Sequence, residues 1–237
     1  MTTERTLLLI ADIGGYTTYM RTHRMSLAHA EVNTSRLLER VIDAAPEFDL
    51  IEIEGDAAFL SRSAATLPDD AAVDATLAVA AAMHQAFHLE RQYVAENLCP
   101  CKGCTEVDNL KLKFVAHIGE VAIQTIRQRR KLVGIDVIHV HRMLKNPVEI
   151  VEYVLLSEEL HRLRDDNLPA GREVHQDLAG IGPTRSYVVD VSELPGPTPP
   201  PAPAASVISR LGRTLSVASA GMPYMLGLRR RRTAAAS

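Results

Sequence analysis

The apolar run Leu7 to Ala11 ends on Asp12, and Ile13, Gly14 and Gly15 follow at once. Such a run is short enough for a buried strand and too short for a membrane span. Two glycines directly after it let the backbone turn tightly and approach an anion. A second carboxylate, Asp56, falls between Leu50-Ile51-Glu52-Ile53 and Ala57-Ala58-Phe59-Leu60, which read as a hairpin with Gly55-Asp56 at its turn. Hard oxygen ligands on two neighbouring strand ends suit Mg²⁺ or Mn²⁺, ions that use few protein carboxylates and leave positions for substrate phosphates. Each motif also has a plainer reading, because an Asp after a strand often caps a helix and Gly-Asp often only turns the chain.

The intervening segments set the architecture. A helical pattern from Ser26 to Ala45 gathers Leu27, Val32, Leu37, Leu38, Val41 and Ile42 largely on one side, and an Ala-rich one runs from about Asp69 to Val94. Leu110 to Ile123 alternates at first and then turns apolar, the pattern of a central strand continuing into a hairpin. The order strand, helix, strand, strand, helix, strand predicts an α/β (α+β) fold of ferredoxin-like βαββαβ type. With 237 residues and 46% hydrophobic content, one substantial core is expected.

A third segment, Gly134-Ile135-Asp136-Val137-Ile138-His139-Val140-His141-Arg142-Met143-Leu144, runs into Tyr153-Val154-Leu155-Leu156-Ser157. Here the sequence resembles the class III nucleotidyl (adenylate/guanylate) cyclase catalytic-domain superfamily, in a divergent bacterial branch. In that superfamily a strand-end D-I-x-G-[FY]-T, a hairpin G-D, a helix G-x-x-V-N-x-A-x-R and a strand ending in Ser occur in this order. The resemblance spans roughly residues 5–194, where Leu178 to Ile181 and Ser186 to Val189 are similar to the final strands of the superfamily. It implies that Asp12 and Asp56 bind Mg²⁺ or Mn²⁺, with the Ile13 carbonyl also touching metal. Gly15, Tyr16 and Thr17 correspond to the loop over the triphosphate, and Arg142 to the arginine that a partner subunit supplies to the transition-state phosphate. The implied assembly is a homodimer, and the implied ligand a nucleoside triphosphate.

The nucleoside half departs from that pattern. The base-reading Lys is replaced by Glu52, and its polar partner falls at Lys131. The ribose-orienting Asn falls at Ile138, whose side chain neither donates nor accepts a hydrogen bond. Two readings follow: a divergent nucleotidyl cyclase forming a cyclic nucleotide, or a non-catalytic cyclase-like nucleotide-binding or regulatory module.

All three cysteines lie in Cys99-Pro100-Cys101-Lys102-Gly103-Cys104. Three thiols within one turn are placed to share a structural Zn²⁺, with His84, His88, His117 or a second subunit's cysteine as fourth ligand. Free thiols in a loop and a redox switch are the other readings of this spacing. His84 and His88 stand one helical turn apart, a pair able to chelate or simply to line a half-buried face.

Residues 1–194 therefore read as the cyclase-like domain, 195–205 as a Pro-rich extended linker and 206–237 as a basic tail. The tail has six arginines and no acidic residue, so it carries +6; with a formal net charge of −3 the rest carries −9. Val207, Ile208, Leu211 and Leu215 sit at helical spacing, which fits an amphipathic contact with anionic lipid or a protein, while Gly212, Gly221, Pro223 and Gly227 favour a disordered tail. The four-arginine run lacks interleaved aromatics, so no nucleic-acid partner is expected. The N-terminus lacks a signal-peptide pattern, and the expected location is cytoplasmic, with membrane association only through the tail.

Overall fold

Leu7, Leu9 and Ala11 point to one side of the first strand and Leu8 and Ile10 to the other, and all five are fully buried in two separate hydrophobic clusters. The computed structural model describes residues 3–22, 27–98 and 102–194; the structural statements here concern those residues. Strand β1 (Thr3–Gly14) is the centre of an eight-stranded sheet, flanked by β3 (Ala57–Ser63) and β4 (Lys111–Ile126), both antiparallel to it. A strand covered on both faces must be apolar at every position, which is why the run is continuous rather than alternating. Each fully buried leucine contributes roughly 1.5–3 kcal/mol relative to an exposed one.

The remaining strands are β2 (Asp49–Glu54), β5 (Arg129–Val133), β6 (Tyr153–Ser157), β7 (Arg172–Leu178) and β8 (Gly182–Asp190). The sheet order is β2-β3-β1-β4-β6-β8-β7, with β5 pairing the far part of β4. Only β4 and β6 run parallel, and helix α5 (Ile135–Met143) lies in the connection between them. Helices α2 (Leu27–Asp43) and α3 (Ala72–Asn97) cover the face to which Leu7 and Leu9 point, through Leu37, Val41, Met83 and Phe87. Helix α5 covers the opposite face with Val140 and Met143 against Leu8 and Ile10. Glu90 of α3, nearly buried, accepts from Arg36 at 2.7 Å and Arg40 at 3.3 Å, joining α3 to α2.

The expected α+β order is present, with local differences. Helix α1 (Tyr16–Thr22) starts directly after Gly15, where the sequence showed no helical pattern before Ser26. Its turn depends on Gly15, at φ +85°, where a Cβ would meet the Asn109 carbonyl oxygen at 3.4 Å. The second long helix begins at Ala72, after a 3₁₀ turn over Asp69–Ala71, and runs to Asn97. Of the closing segments, Ser186 to Val189 lie in β8, whereas Leu178 ends β7 and residues 179–181 form the turn. Short helices α4 (Lys102–Thr105) and α6 (Glu158–His161) complete the domain. Among the described residues no helix is long and apolar enough to cross a membrane. Cys99, Cys101, the Pro-rich linker and the basic tail lie outside the described residues.

One glycine holds α5 on the sheet. A Cβ at Gly119 of β4 would overlap the Asp136 side chain, whose Oδ2 accepts from the Glu120 amide at 2.7 Å and whose Oδ1 lies 3.1 Å from His117 Nε2. Gly119→Ala is expected to expel Asp136 and lose both bonds, a destabilisation on the order of 2–3 kcal/mol. In an Asp136→Ala background the same change is expected to cost far less; denaturant titrations of the four proteins in this cycle measure the difference.

Candidate functional site

Asp12 is the last residue of β1 paired on both sides, opposite Ala57 of β3 and Lys113 of β4. One residue on, the Ile13 amide donates to the Asp56 carbonyl at 3.1 Å, so the turn between β2 and β3 is clamped to the end of β1. Gly55 at φ +67° makes that turn and leaves the Asp56 side chain half-buried beside Asp12. Burial, and then the neighbouring Asp12 charge, push the Asp56 carboxyl above the usual carboxylate range. Lys113 brings its ammonium to 3.0 Å from Asp12 Oδ2. Burial opposes the Lys113 charge, but the hydrogen bond and attraction to Asp12 more than offset it, and its pKa rises. The trio is thus two half-buried carboxylates with one ammonium, a net negative oxygen-rich donor set that suits a hard divalent cation.

Ile13 is buried, Tyr16 is half-buried and Thr17 is exposed at the start of α1, and Tyr16 lines a pocket with residues of α2, Ile53 and Gly55. Glu52, Lys131, Ile138 and Arg142 lie elsewhere on the chain. They line one cleft of about 400 Å³ between β2, β5 and α5, together with Phe59 and His141. The His141 ring packs edge-on against Phe59, and its Nδ1 lies 3.5 Å from Glu54 Oε2. Arg142 is exposed, and its guanidinium makes no hydrogen bond or ion pair among the described residues. Around the cleft mouth Leu50, Ile53, Ile126, Ile135 and Ile138 are 43–59% exposed, an apolar surface that a lone soluble chain would ordinarily cover. The structure therefore places the sequence-predicted residues in two separate groups, with Asp12 and Asp56 outside the cleft that Arg142 lines.

Comparison with known proteins agrees with this architecture. The family described as "Protein of unknown function (DUF2652)" matches residues 34–153, half of the chain. "Uncharacterized protein Rv2561/Rv2562" of Mycobacterium tuberculosis is 34% identical over 201 residues, covering 83% of this chain and 90% of its own length. The chain belongs to this family. Its fold is that of the class III cyclase domains. The guanylyl cyclase Cya2 superposes with a TM-score of 0.65 at 16% identity, over 81% of this chain and 95% of its own. A class III adenylyl cyclase-like ATP-binding protein from Pseudomonas aeruginosa superposes with a TM-score of 0.53 at 18% identity, over 69% of this chain and 35% of its own.

His117, whose place on a central strand fits a hydrogen-bonded core histidine, is the centre of a buried polar cluster. His117 Nδ1 lies 2.8 Å from Ser157 Oγ, which also accepts from the Leu160 amide and so caps α6. His117 Nε2 faces Asp136, its Nδ1 lies 3.6 Å from Glu159, and the His139 ring sits 4.5 Å away. His139 is 6% exposed, and its Nε2 has no hydrogen-bond partner among the described residues. Lys113 was missed: the alternation Lys111-Leu112-Lys113 marks a strand, but only the register with β1 aims Lys113 at Asp12. Cys104 is buried, 3.6 Å from Asn33 Nδ2, and the predicted cluster's other two thiols fall outside the described residues.

Burial, and then the charge of His117, lower the pKa of His139; Asp136 and Glu159 pull the other way without restoring it. A folded-state value below the unfolded one means that the unfolded chain binds the proton first, so stability is lost as pH falls below about 6.5. Thermal midpoints are expected to decline from pH ~7 toward pH ~5, and His139→Leu, which removes both the titration and the unpaired nitrogen, is expected to flatten that decline. Equal slopes in the two proteins would contradict this assignment.

Proposed function

We propose that two copies of this chain bind a nucleoside triphosphate together with Mg²⁺ or Mn²⁺ and convert it to a cyclic nucleotide. The observation that carries the reading is the convergence of Asp12, Asp56 and Lys113 at the open end of β1. Two repelling carboxylates held in a half-buried position cost stability, and a bound cation would relieve that cost. The exposed Arg142 and the apolar surface beside it support a head-to-tail pairing, in which one copy supplies the carboxylates and the other the arginine.

In that pairing Asp12 and Asp56 would hold the cation, with the Ile13 carbonyl beside them, and Lys113 would lend its positive charge to the phosphates. Such a cation would supply the charge that acidifies the ribose 3′-hydroxyl and polarises the α-phosphoryl group. The ribose 3′-hydroxyl gives its proton to water, and its oxygen forms a bond to the α-phosphorus as the bond to the β-phosphate bridging oxygen breaks, releasing pyrophosphate. Gly15, Tyr16 and Thr17 close over the triphosphate, and the partner's Arg142 neutralises charge that grows on the departing oxygens. Glu52 and Lys131, which both line the cleft wall, offer an acceptor and a donor to the edge of a base.

Ile138 favours a second reading, a nucleotide-binding module without turnover, because an exposed isoleucine on that wall cannot fix a ribose through a hydrogen bond. Incubation with ATP and GTP in Mn²⁺, with chromatography of the products, separates the two. Cyclic product is expected from the wild type and none from Asp12→Ala. Arg142→Ala is expected to lower turnover about 10²–10³-fold while nucleotide binding persists, since the contact belongs to the transition state. Mixing the Asp12→Ala and Arg142→Ala chains is expected to restore product, as a mixed dimer retains one intact site. Calorimetric binding without product in any mixture would establish the binding module instead. Asp56→Ala, which removes a metal ligand, is expected to weaken Mn²⁺-dependent nucleotide binding by more than the roughly 10–100-fold that a lost outer-shell partner costs, under either reading.

A further inference from the structure

His84 and His88 sit one turn apart on the same face of α3, and Glu152 comes to meet them from the segment just before β6. Their polar atoms converge. His84 Nε2 and His88 Nε2 are 2.9 Å apart, Glu152 Oε1 is 2.9 Å from His88 Nε2, and Glu152 Oε2 is 3.4 Å from His84 Nε2. Two neutral imidazoles and a carboxylate can satisfy this arrangement only incompletely. The His88 Nε2 position cannot serve both neighbours: if it donates to Glu152 it has no lone pair for His84, and if it accepts from His84 its lone pair opposes the carboxylate. A cation placed among the three atoms resolves that conflict, because all three then direct lone pairs at one positive centre.

The spacing fits a particular class of ion. Ligand atoms about 2.0–2.1 Å from a tetrahedral centre are separated by about 3.3–3.4 Å, and the observed separations reach that value by small side-chain rotations. Two imidazoles and one carboxylate suit Zn²⁺ and its neighbours Co²⁺, Ni²⁺ and Cu²⁺ rather than Mg²⁺. The group is also braced as a ligand set should be. The Leu112 amide donates to Glu152 Oε1 at 2.9 Å, and the Glu152 carbonyl accepts from the Val191 amide at 3.4 Å, so carboxylate and backbone are both held. Side-chain exposures of 23%, 27% and 19% leave one side open to solvent, where a fourth, exchangeable ligand has access.

We propose that His84, His88 and Glu152 form a transition-metal site of the Zn²⁺ class, with three protein ligands and one open position. The site is independent of the carboxylate pair at Asp12 and Asp56 and does not rest on the nucleotide reading. Bound metal bridges α3 to the segment entering β6, which is hydrogen-bonded to β4 and to the end of β8, and so bolts the helical layer to the middle of the sheet.

The test uses the full chain, stripped with a chelator and titrated with Co²⁺ and then Zn²⁺. One Co²⁺ per chain is expected, with the visible absorbance of four-coordinate nitrogen and oxygen ligation and without thiolate charge-transfer absorbance. The signal is expected to persist in a Cys99→Ser, Cys101→Ser, Cys104→Ser chain and in Asp12→Ala. His88→Ala and Glu152→Gln are expected to weaken binding by more than the roughly 10–100-fold that a lost outer-shell partner costs. Zn²⁺ is expected to raise the thermal midpoint of the wild type and to leave that of His88→Ala unchanged. Thiolate absorbance as the only cobalt signal, or undiminished stoichiometry and affinity in both His84→Ala and His88→Ala, would overturn the assignment. The wild-type spectrum distinguishes these cases even where a variant folds poorly.

Discussion

The whole domain hangs on the burial of β1 from both sides. Its odd-numbered leucines hold α2 and α3 and its even-numbered apolar residues hold α5, so neither helical layer has a place to sit without it. The same strand delivers Asp12 to the edge of the core. A carboxylate at that position is kept in place by the packing behind it and by Lys113, which reaches it from a strand fixed by the same ladder. Local stability is surrendered at the end of β1, where like charges are brought together, and is recovered along its length. That division is common where a rigid scaffold positions a chemically active group.

Elements with an apolar period were legible in the sequence and the others were not. The run into Asp12 and the alternation of β4 each bury a continuous set of side chains, and α2 buries Leu37, Leu38 and Val41 of its stripe, whereas Val32 is 51% exposed and Asn33 and Thr34 are buried in its place. Helix α1 has the sequence Tyr-Thr-Thr-Tyr-Met-Arg-Thr and buries only Tyr19, so nothing periodic marks it. Strand β7, Arg-Glu-Val-His-Gln-Asp-Leu, is an edge strand whose side chains mostly face water, and its charges are what an unpaired edge requires. The local motifs at Asp12, Gly55-Asp56 and Arg142 could be read because each lies within a few residues of its own turn or helix. The roles of Lys113 and Glu152 and the partners of His117 could not. They depend on residues 19 to 101 positions away or on strand register, which no local window contains.

The polar groups inside the domain fall into two kinds. Glu90 between Arg36 and Arg40, and Asp136 between the Glu120 amide and His117, are satisfied and serve as joints between layers. His139 Nε2 has no hydrogen-bond partner among the described residues, and Asp12 and Asp56 bring two carboxylates together. Satisfied networks fix a single arrangement, whereas unsatisfied groups keep free energy available for something that binds.

All twelve residues of β1 are in register with β4, and the strand's two faces belong to different cores. A deletion or insertion of one codon between Leu7 and Asp12 would therefore turn every later side chain of the strand to the opposite layer and carry the carboxylate away from Lys113. Substitution can explore this strand and length change cannot. Among descendants of this gene, the spacing from Leu7 to Asp12 should behave as a fixed ruler, while gaps collect in the loops that join the outer strands.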